Sequence, residues 1–209
     1  MKIEKFTFNP FAENTYVVSD NGIAAIFDPG MHNVEEEKEI QEYLNEEKLD
    51  LQFLINTHCH IDHILGNQYV ADRFKLKLKA SEKESLTLSW AAQSAAMWSV
   101  PFKGSPEIEE FLKEGETLEI GDSKWEILEV SGHAVGHLVF YNDANKVLIG
   151  GDTLFFESIG RTDLPGGNHQ DLISNIHAKL MVLPDEVSVY SGHGPETTIG
   201  HERENNPFL

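Results

Sequence analysis

Apolar positions change their period several times along the chain. Residues 14–19 and 23–28 are short runs rich in Val, Ile, Phe and Tyr, and Asp20-Asn21-Gly22 between them is an Asn-Gly hairpin signal. Asp28-Pro29-Gly30 ends the second run. Asn33, with Glu36 three positions on, has the pattern of a helix cap, and Ile40, Tyr43 and Leu44 then recur at helical spacing. Residues 51–56 form a continuous apolar run leading straight into Thr57, the pattern of a buried strand. A helix is predicted across 62–74, an alternating strand over 75–80, and a further helix over 82–99, where Trp90, Met97 and Trp98 punctuate a stretch of small residues. The second half repeats the theme, with strands predicted at Thr117–Ile120, 124–130, 138–141 and 146–149, a helix over 169–180 and a last strand at 187–190. Each half runs strands first and helices after. No Pro/Gly/Ser linker divides them, so residues 1–209 are expected to form one domain with helices outside packed sheets.

Composition narrows the function classes. The 209 residues carry a net charge of −19, which argues against a nucleic-acid partner, since phosphate backbones need a cationic track. Thirteen of those excess charges fall in residues 35–50 and 107–129, where solvated acidic faces are expected. Cys59 is the only cysteine, so no internal disulfide forms and a reducing, cytoplasmic setting is expected. No apolar run approaches the roughly 18 residues of a membrane span, and Met1-Lys2-Ile3-Glu4-Lys5-Phe6 lacks the apolar stretch of a signal peptide.

The chemistry concentrates in His58-Cys59-His60-Ile61-Asp62-His63, directly after the apolar run. With 10 histidines in the chain, chance would produce this His-x-His-x-Asp-His tetrad about 0.001 times. In extended backbone His58 and His60 point to one side and can share an ion, while Asp62 and His63 turn toward a second position. Imidazole and carboxylate suit zinc, iron or manganese. Three more candidates sit among glycines after predicted strands: His133 in Gly132-His133, Asp152 in Gly150-Gly151-Asp152-Thr153, and His193 in Gly192-His193-Gly194.

On these residues the chain resembles the metallo-β-lactamase fold superfamily and, within it, the glyoxalase II-like (hydroxyacylglutathione hydrolase-like) branch. Gly160-Arg161-Thr162-Asp163-Leu164-Pro165-Gly166-Gly167 and the ending Asn206-Pro207-Phe208-Leu209 add to the likeness with short bacterial members. The resemblance implies an α/β fold, a four-layer αββα sandwich, with two divalent metals at one edge of the sheets, zinc first and iron or manganese as alternatives. It implies that His58, His60 and His133 hold one ion, that Asp62, His63 and His193 hold the other, and that Asp152 bridges them. A hydroxide bridging the ions would attack a small-molecule thioester such as S-lactoylglutathione, with Asp62 orienting it. Sixteen residues follow His193, whereas longer glyoxalase II enzymes continue into a helical domain that grips glutathione, so a looser grip is expected.

Alternatives remain. A persulfide dioxygenase of the same fold, with a single iron, shares the Gly-Arg-Thr-Asp stretch, and a non-enzymatic metal-binding module is a third possibility. β-Lactamase activity is disfavoured because Asp152 stands where zinc-dependent lactamases carry a cysteine. Arg161 is a candidate for binding a substrate carboxylate, although pairing with Asp163 is the commoner use of such an arginine. Asp28 is either a turn residue or an orienter of a ligand imidazole. His137, His32, His169, His177 and His201 are expected outside the ligand set, and Cys59 is expected to face away from it. Trp90, Met97 and Trp98 are expected in a core or a dimer contact, with a substrate-lining role as the minor alternative. The pattern leaves the oligomeric state open.

Overall fold

The computed structural model describes residues 1–209. Its first sheet runs β1 (Lys2–Phe8), β2 (Glu13–Asp20), β3 (Ile23–Phe27), β4 (Asp50–Ile55), β5 (Leu78–Ala80) and β6 (Ile108–Phe111), in that spatial order. The chain then builds β7 (Thr117–Ile120), β8 (Ser123–Glu129), β9 (Leu138–Asn142) and β10 (Val147–Gly151), a short ribbon of β11 (Leu154–Phe155) and β12 (Ser158–Ile159), and finally β13 (Ser188–Ser191) and β14 (Thr197–Thr198). The second sheet is ordered β14-β13-β10-β9-β8-β7.

The burial of each strand follows from its place. In β2, β9 and β10 nearly every residue is buried, because both faces of those strands are covered. By contrast β7 and β8 alternate, with one face in the core and one in water. Between the sheets lie Tyr16, Phe27, Trp125, Phe140 and Ile149. Helices α1 (Val34–Glu46), α2 (Asn67–Phe74), α3 (Ser85–Ser89) and α4 (Ala91–Trp98) cover the outer face of the first sheet through Ile40, Leu44, Val70, Ala91 and Ala95. On the second sheet α5 (His169–Asn175), the turn that follows it and α6 (Ile199–Asn205) bury Leu172, Ile176 and Ile199 against Val139, Leu148 and Val189. The four layers are therefore helix, sheet, sheet and helix, as expected. No helix is long and apolar enough to cross a membrane.

Local signals explain most boundaries. Asn21 and Gly22 sit at φ 50° and 81° between β2 and β3, the left-handed pair that a two-residue hairpin requires. The Asn33 side chain accepts from the Glu36 N–H and caps α1. The helix expected over 62–74 is instead a 3-10 turn, Ile61–His63, and then α2. The strand expected over 75–80 begins only at Leu78, because Lys75 ends α2 in the left-handed conformation at φ 59°. The helix expected over 82–99 is a 3-10 turn, Glu82–Glu84, with α3 and α4 meeting at Trp90. The predicted 169–180 helix widens into a π-helical turn at Ile176–Leu180.

Strand direction places the functional loops. β4 runs parallel to β3, and β13 runs parallel to β10. β9 is antiparallel to both β8 and β10, so β8, β10 and β13 share one direction. The segments carrying residues 57–63, 131–137, 152 and 193 all leave the carboxyl ends of these strands. Backbone hydrogen bonds from Leu138 N–H to the Thr57 carbonyl (2.9 Å) and from Asn14 N–H to the Gly192 carbonyl (2.7 Å) join the sheets at this edge.

Phe140 lies fully buried between the sheets, edge-on to Phe27 at 5.0 Å between ring centroids. Phe140→Ala should therefore lower the unfolding free energy by about 3–5 kcal/mol. Urea denaturation followed by circular dichroism checks this, and a loss below about 1 kcal/mol would contradict the inter-sheet core described here.

Candidate active site

The site starts from one buried carboxylate. Asp28, at the end of β3 and at φ 49°, accepts hydrogen bonds from the Thr57 N–H (2.7 Å), the Thr57 hydroxyl (2.6 Å), the Asn56 amide (3.3 Å) and His63 Nδ1 (3.1 Å). It thus fixes the loop after β4 and orients an imidazole, as well as ending a strand. Because the Thr57 hydroxyl gives its proton to Asp28, its oxygen accepts from His58 Nδ1 (3.0 Å), which leaves the lone pair of His58 on Nε2.

The same reasoning fixes His133. Its Nδ1 donates to the Arg161 carbonyl (2.7 Å), and its Nε2 faces His58 Nε2 at 3.2 Å and His60 Nδ1 at 2.8 Å. Burial drives His58 well below the ordinary histidine pKa, His133 below it and His60 down to about 3, and neighbouring imidazoles push the same way. In His58 and His133, two lone pairs confront each other with no proton between them. A cation among the three nitrogens resolves that repulsion.

A second group stands beside it. His193 Nδ1 lies 3.2 Å from the Phe11 carbonyl, to which it donates, and its Nε2 is 3.2 Å from Asp62 Oδ2. His63 Nε2 lies 3.7 Å from Asp62 Oδ2. Asp152 sits between the groups, with Oδ1 3.4 Å from His63 Nε2 and Oδ2 3.5 Å from both His133 Nε2 and His193 Nε2. His63 Nε2 and Asp152 Oδ1 are buried without a hydrogen-bond partner. Burial opposes the charge on Asp152, but His63 and then His193 and His133 outweigh it and hold the carboxyl far below its ordinary value. Burial likewise lowers His63, yet Asp152 and Asp62 outweigh it and hold the ring well above the ordinary value. The carboxylates therefore favour positive charge at this second position.

All seven expected residues come together. The ligand atoms of His58, His60 and His133 lie within 4.8 Å of one another, and so do those of Asp62, His63 and His193. Asp28 forms a third such group with His58 and His63, but its oxygens are already occupied by Thr57, Asn56 and His63. Glycines allow the approach. A Cβ on Gly192 would collide with the Asp152 carboxylate, and Gly151 before Asp152 has φ 49°. His137 stacks on His58 at 4.7 Å, and its Nε2 accepts the Asp152 N–H at 3.0 Å, so it supports the group from behind. Cys59 is buried in the helix-side core. His32 and His201 lie apart, beside Glu36 and Glu157.

Glu84 carried no signal in the sequence. It stands in an ordinary acidic turn, yet it is fully buried, accepting the Cys59 N–H (2.9 Å) and the Gly136 N–H (2.7 Å) and so tying the His58–His63 loop to the His133 loop. Burial raises its carboxyl pKa.

The converging residues floor a cavity of about 590 Å³. Phe11, Trp90, Met97, Trp98, Phe155, Ile159 and Leu164 supply its apolar lining. Trp90, Met97 and Trp98 line the cavity, the minor alternative for them, and do not pack in the core, because α4 turns Ala91 and Ala95 inward and leaves Met97 72% exposed. Arg161 lines the same cavity, but its guanidinium is forked onto Asp163 at 2.7 and 2.8 Å.

Two substitutions test the supports. Asp28→Asn would set an amide against donors and should weaken divalent-metal binding about 10–100-fold, read by competition with a chromogenic chelator; unchanged affinity would deny Asp28 its orienting role. Glu84→Gln would direct an amide N–H at one of the two backbone donors, so the unfolding free energy should fall by about 1–3 kcal/mol in urea titration.

Comparison with known proteins places this arrangement. The sequence model of the Metallo-beta-lactamase superfamily matches residues 8–193. The hydroxyacylglutathione hydrolase GloC of Haemophilus influenzae is 37% identical, over 100% of this chain and 98% of its own length. The crystal structure of the BLEG-1 B3 metallo-beta-lactamase superposes with a TM-score of 0.91 at 34% identity, covering 100% of this chain and 99% of its own. That of TTHA1623 in a di-iron-bound form gives 0.89 at 30% identity, covering 99% and 100%. The αββα layering, the loops gathered at one sheet edge and these matches along the chain agree: it belongs to the metallo-β-lactamase superfamily.

Proposed function

We propose that the chain is a dinuclear metal-dependent hydrolase of thioesters, of glyoxalase II type. One observation carries this reading: two triads of buried or half-buried nitrogen and oxygen donors, with Asp152 between them, floor an open cavity. His58, His60 and His133 would hold one divalent ion, Asp62, His63 and His193 the other, and Asp152 both. The facing lone pairs of His58 and His133 and the unpartnered His63 Nε2 and Asp152 Oδ1 are the features that fit such ions. Zinc is the first expectation for this donor set, with iron or manganese also suited to it. When bound, a metal pair supplies Lewis acidity for a carbonyl oxygen and brings the pKa of water from about 15.7 toward 7.

The chain's own residues supply the rest. Asp62, with its side chain 15% exposed on the cavity floor, orients the attacking water by accepting its hydrogen bond. The apolar walls exclude bulk water around the carbonyl and hold the substrate near attack distance. A departing thiolate, whose conjugate acid has a pKa of roughly 8.5, needs no side-chain acid. The name of the H. influenzae relative supports a glutathione thioester as the first substrate to try.

Plasma emission on protein grown with ample metal should find two ions per chain, and S-lactoylglutathione should be hydrolysed. Asp152→Ala should lose metal and lower kcat/KM by more than about 100-fold, beyond the usual effect of removing a side chain that only supports a ligand. One ion per chain with oxygen uptake on glutathione persulfide would instead favour the dioxygenase alternative. Cleavage of a chromogenic cephalosporin alone would favour the chemistry named for the BLEG-1 relative.

A further inference from the structure

The cavity walls say something about the group the substrate carries. Beside the His/Asp floor the exposed lining is mostly apolar, drawn from Phe11, Trp90, Met97, Trp98, Phe155 and Leu164, with a few neutral polar side chains such as Gln93 and Ser94 among them. Trp98 is 48% exposed and is met edge-on by Phe11 at 5.8 Å, so an aromatic slot stands open to solvent. Large apolar surface left in water beside a reactive floor marks a binding wall. Methionine at 97 adds a flexible, polarisable contact that adapts to arms of different shape.

Fixed positive charge is nearly missing from the same walls. Arg161 is the one lysine or arginine among the lining residues, and Asp163 already occupies its guanidinium through two hydrogen bonds. A glutathione carrier brings two carboxylates, and among the lining side chains only Arg161, already forked onto Asp163, carries a fixed positive charge to receive one. The net charge of −19 adds long-range repulsion toward anionic carriers. The group on sulfur therefore meets mainly rings and aliphatic side chains, with neutral polar groups such as Gln93 and Ser94 between them.

We infer that the cavity selects thioesters whose sulfur-borne group is uncharged and apolar, and disfavours carriers bearing carboxylates or phosphates. This rests on the thioester-hydrolase reading above and narrows its substrate class.

Two matched lactoyl thioesters test it, S-lactoylglutathione and the lactoyl thioester of benzyl mercaptan, which present the same carbonyl to the same floor. The benzyl thioester should show kcat/KM higher by at least about tenfold. Trp98→Ala should shrink that ratio about tenfold, and Met97→Lys, at a position 72% exposed and so tolerant of the change, should shift preference toward the glutathione thioester. Binding is read separately by tryptophan fluorescence, using the hydrolysis-resistant thioethers S-(2-hydroxypropyl)glutathione and benzyl 2-hydroxypropyl sulfide. Tighter binding of the benzyl thioether supports the inference even if neither thioester is cleaved, in which case it is the hydrolase reading that fails. Equal or tighter binding of the glutathione thioether, or a kcat/KM ratio favouring glutathione in the unaltered protein, overturns the inference while leaving the hydrolase reading intact.

Discussion

Lone pairs held face to face are the constraint around which this molecule is built. His58 and His133 present acceptors to each other at 3.2 Å, and His63 and Asp152 aim unpartnered atoms into the same space. Nothing local favours such an arrangement, so it persists only where its surroundings over-determine it. Each supporting contact removes one freedom: the Thr57 hydroxyl fixes the His58 tautomer, the Arg161 carbonyl fixes His133, Asp28 fixes His63 and the Phe11 carbonyl fixes His193. The strands bring these supports into range, because β4, β8, β10 and β13 all end at one edge.

The two halves of the site differ in kind. One side gathers three imidazoles that burial keeps neutral, while the other gathers carboxylates that hold His63 and His193 above the ordinary histidine pKa. A single shared side chain, Asp152, touches both. The two positions therefore offer a cation different net charge although they are built on the same loops, and a pair of ions held there need not be bound equally tightly.

How much of this was legible in the sequence depended on whether a residue's role is local. The His-x-His-x-Asp-His run, the glycine-flanked His133, Asp152 and His193, the Asn21-Gly22 turn and the Asn33 cap all declare themselves within a few positions. The edge strands β1 and β6 were missed because their short alternating runs of charge and apolar side chains resemble solvated loop, and pairing with β2 and β5 decides them. Glu84 could not be singled out, since an acid in a polar turn becomes a buried clamp only when the Cys59 and Gly136 amides arrive from distant loops. The place of Trp90, Met97 and Trp98 stayed open between core and cavity for a related reason: hydrophobicity names a residue that avoids water, but which face of α4 meets the core was decided by Ala91 and Ala95.

The site draws on both sheets, and this has a consequence for biogenesis. The loop bearing His58, His60, Asp62 and His63 is made early, whereas His193 is supplied 130 residues after His63. At translation rates of roughly 5–20 residues per second, the first donors wait about 7 to 26 s for the last one. During that interval the nascent chain exposes an incomplete set of imidazoles able to capture stray ions in the wrong geometry. The complete pair of triads therefore forms only at the end of synthesis, once His193 is made and the two sheets close around Asp152.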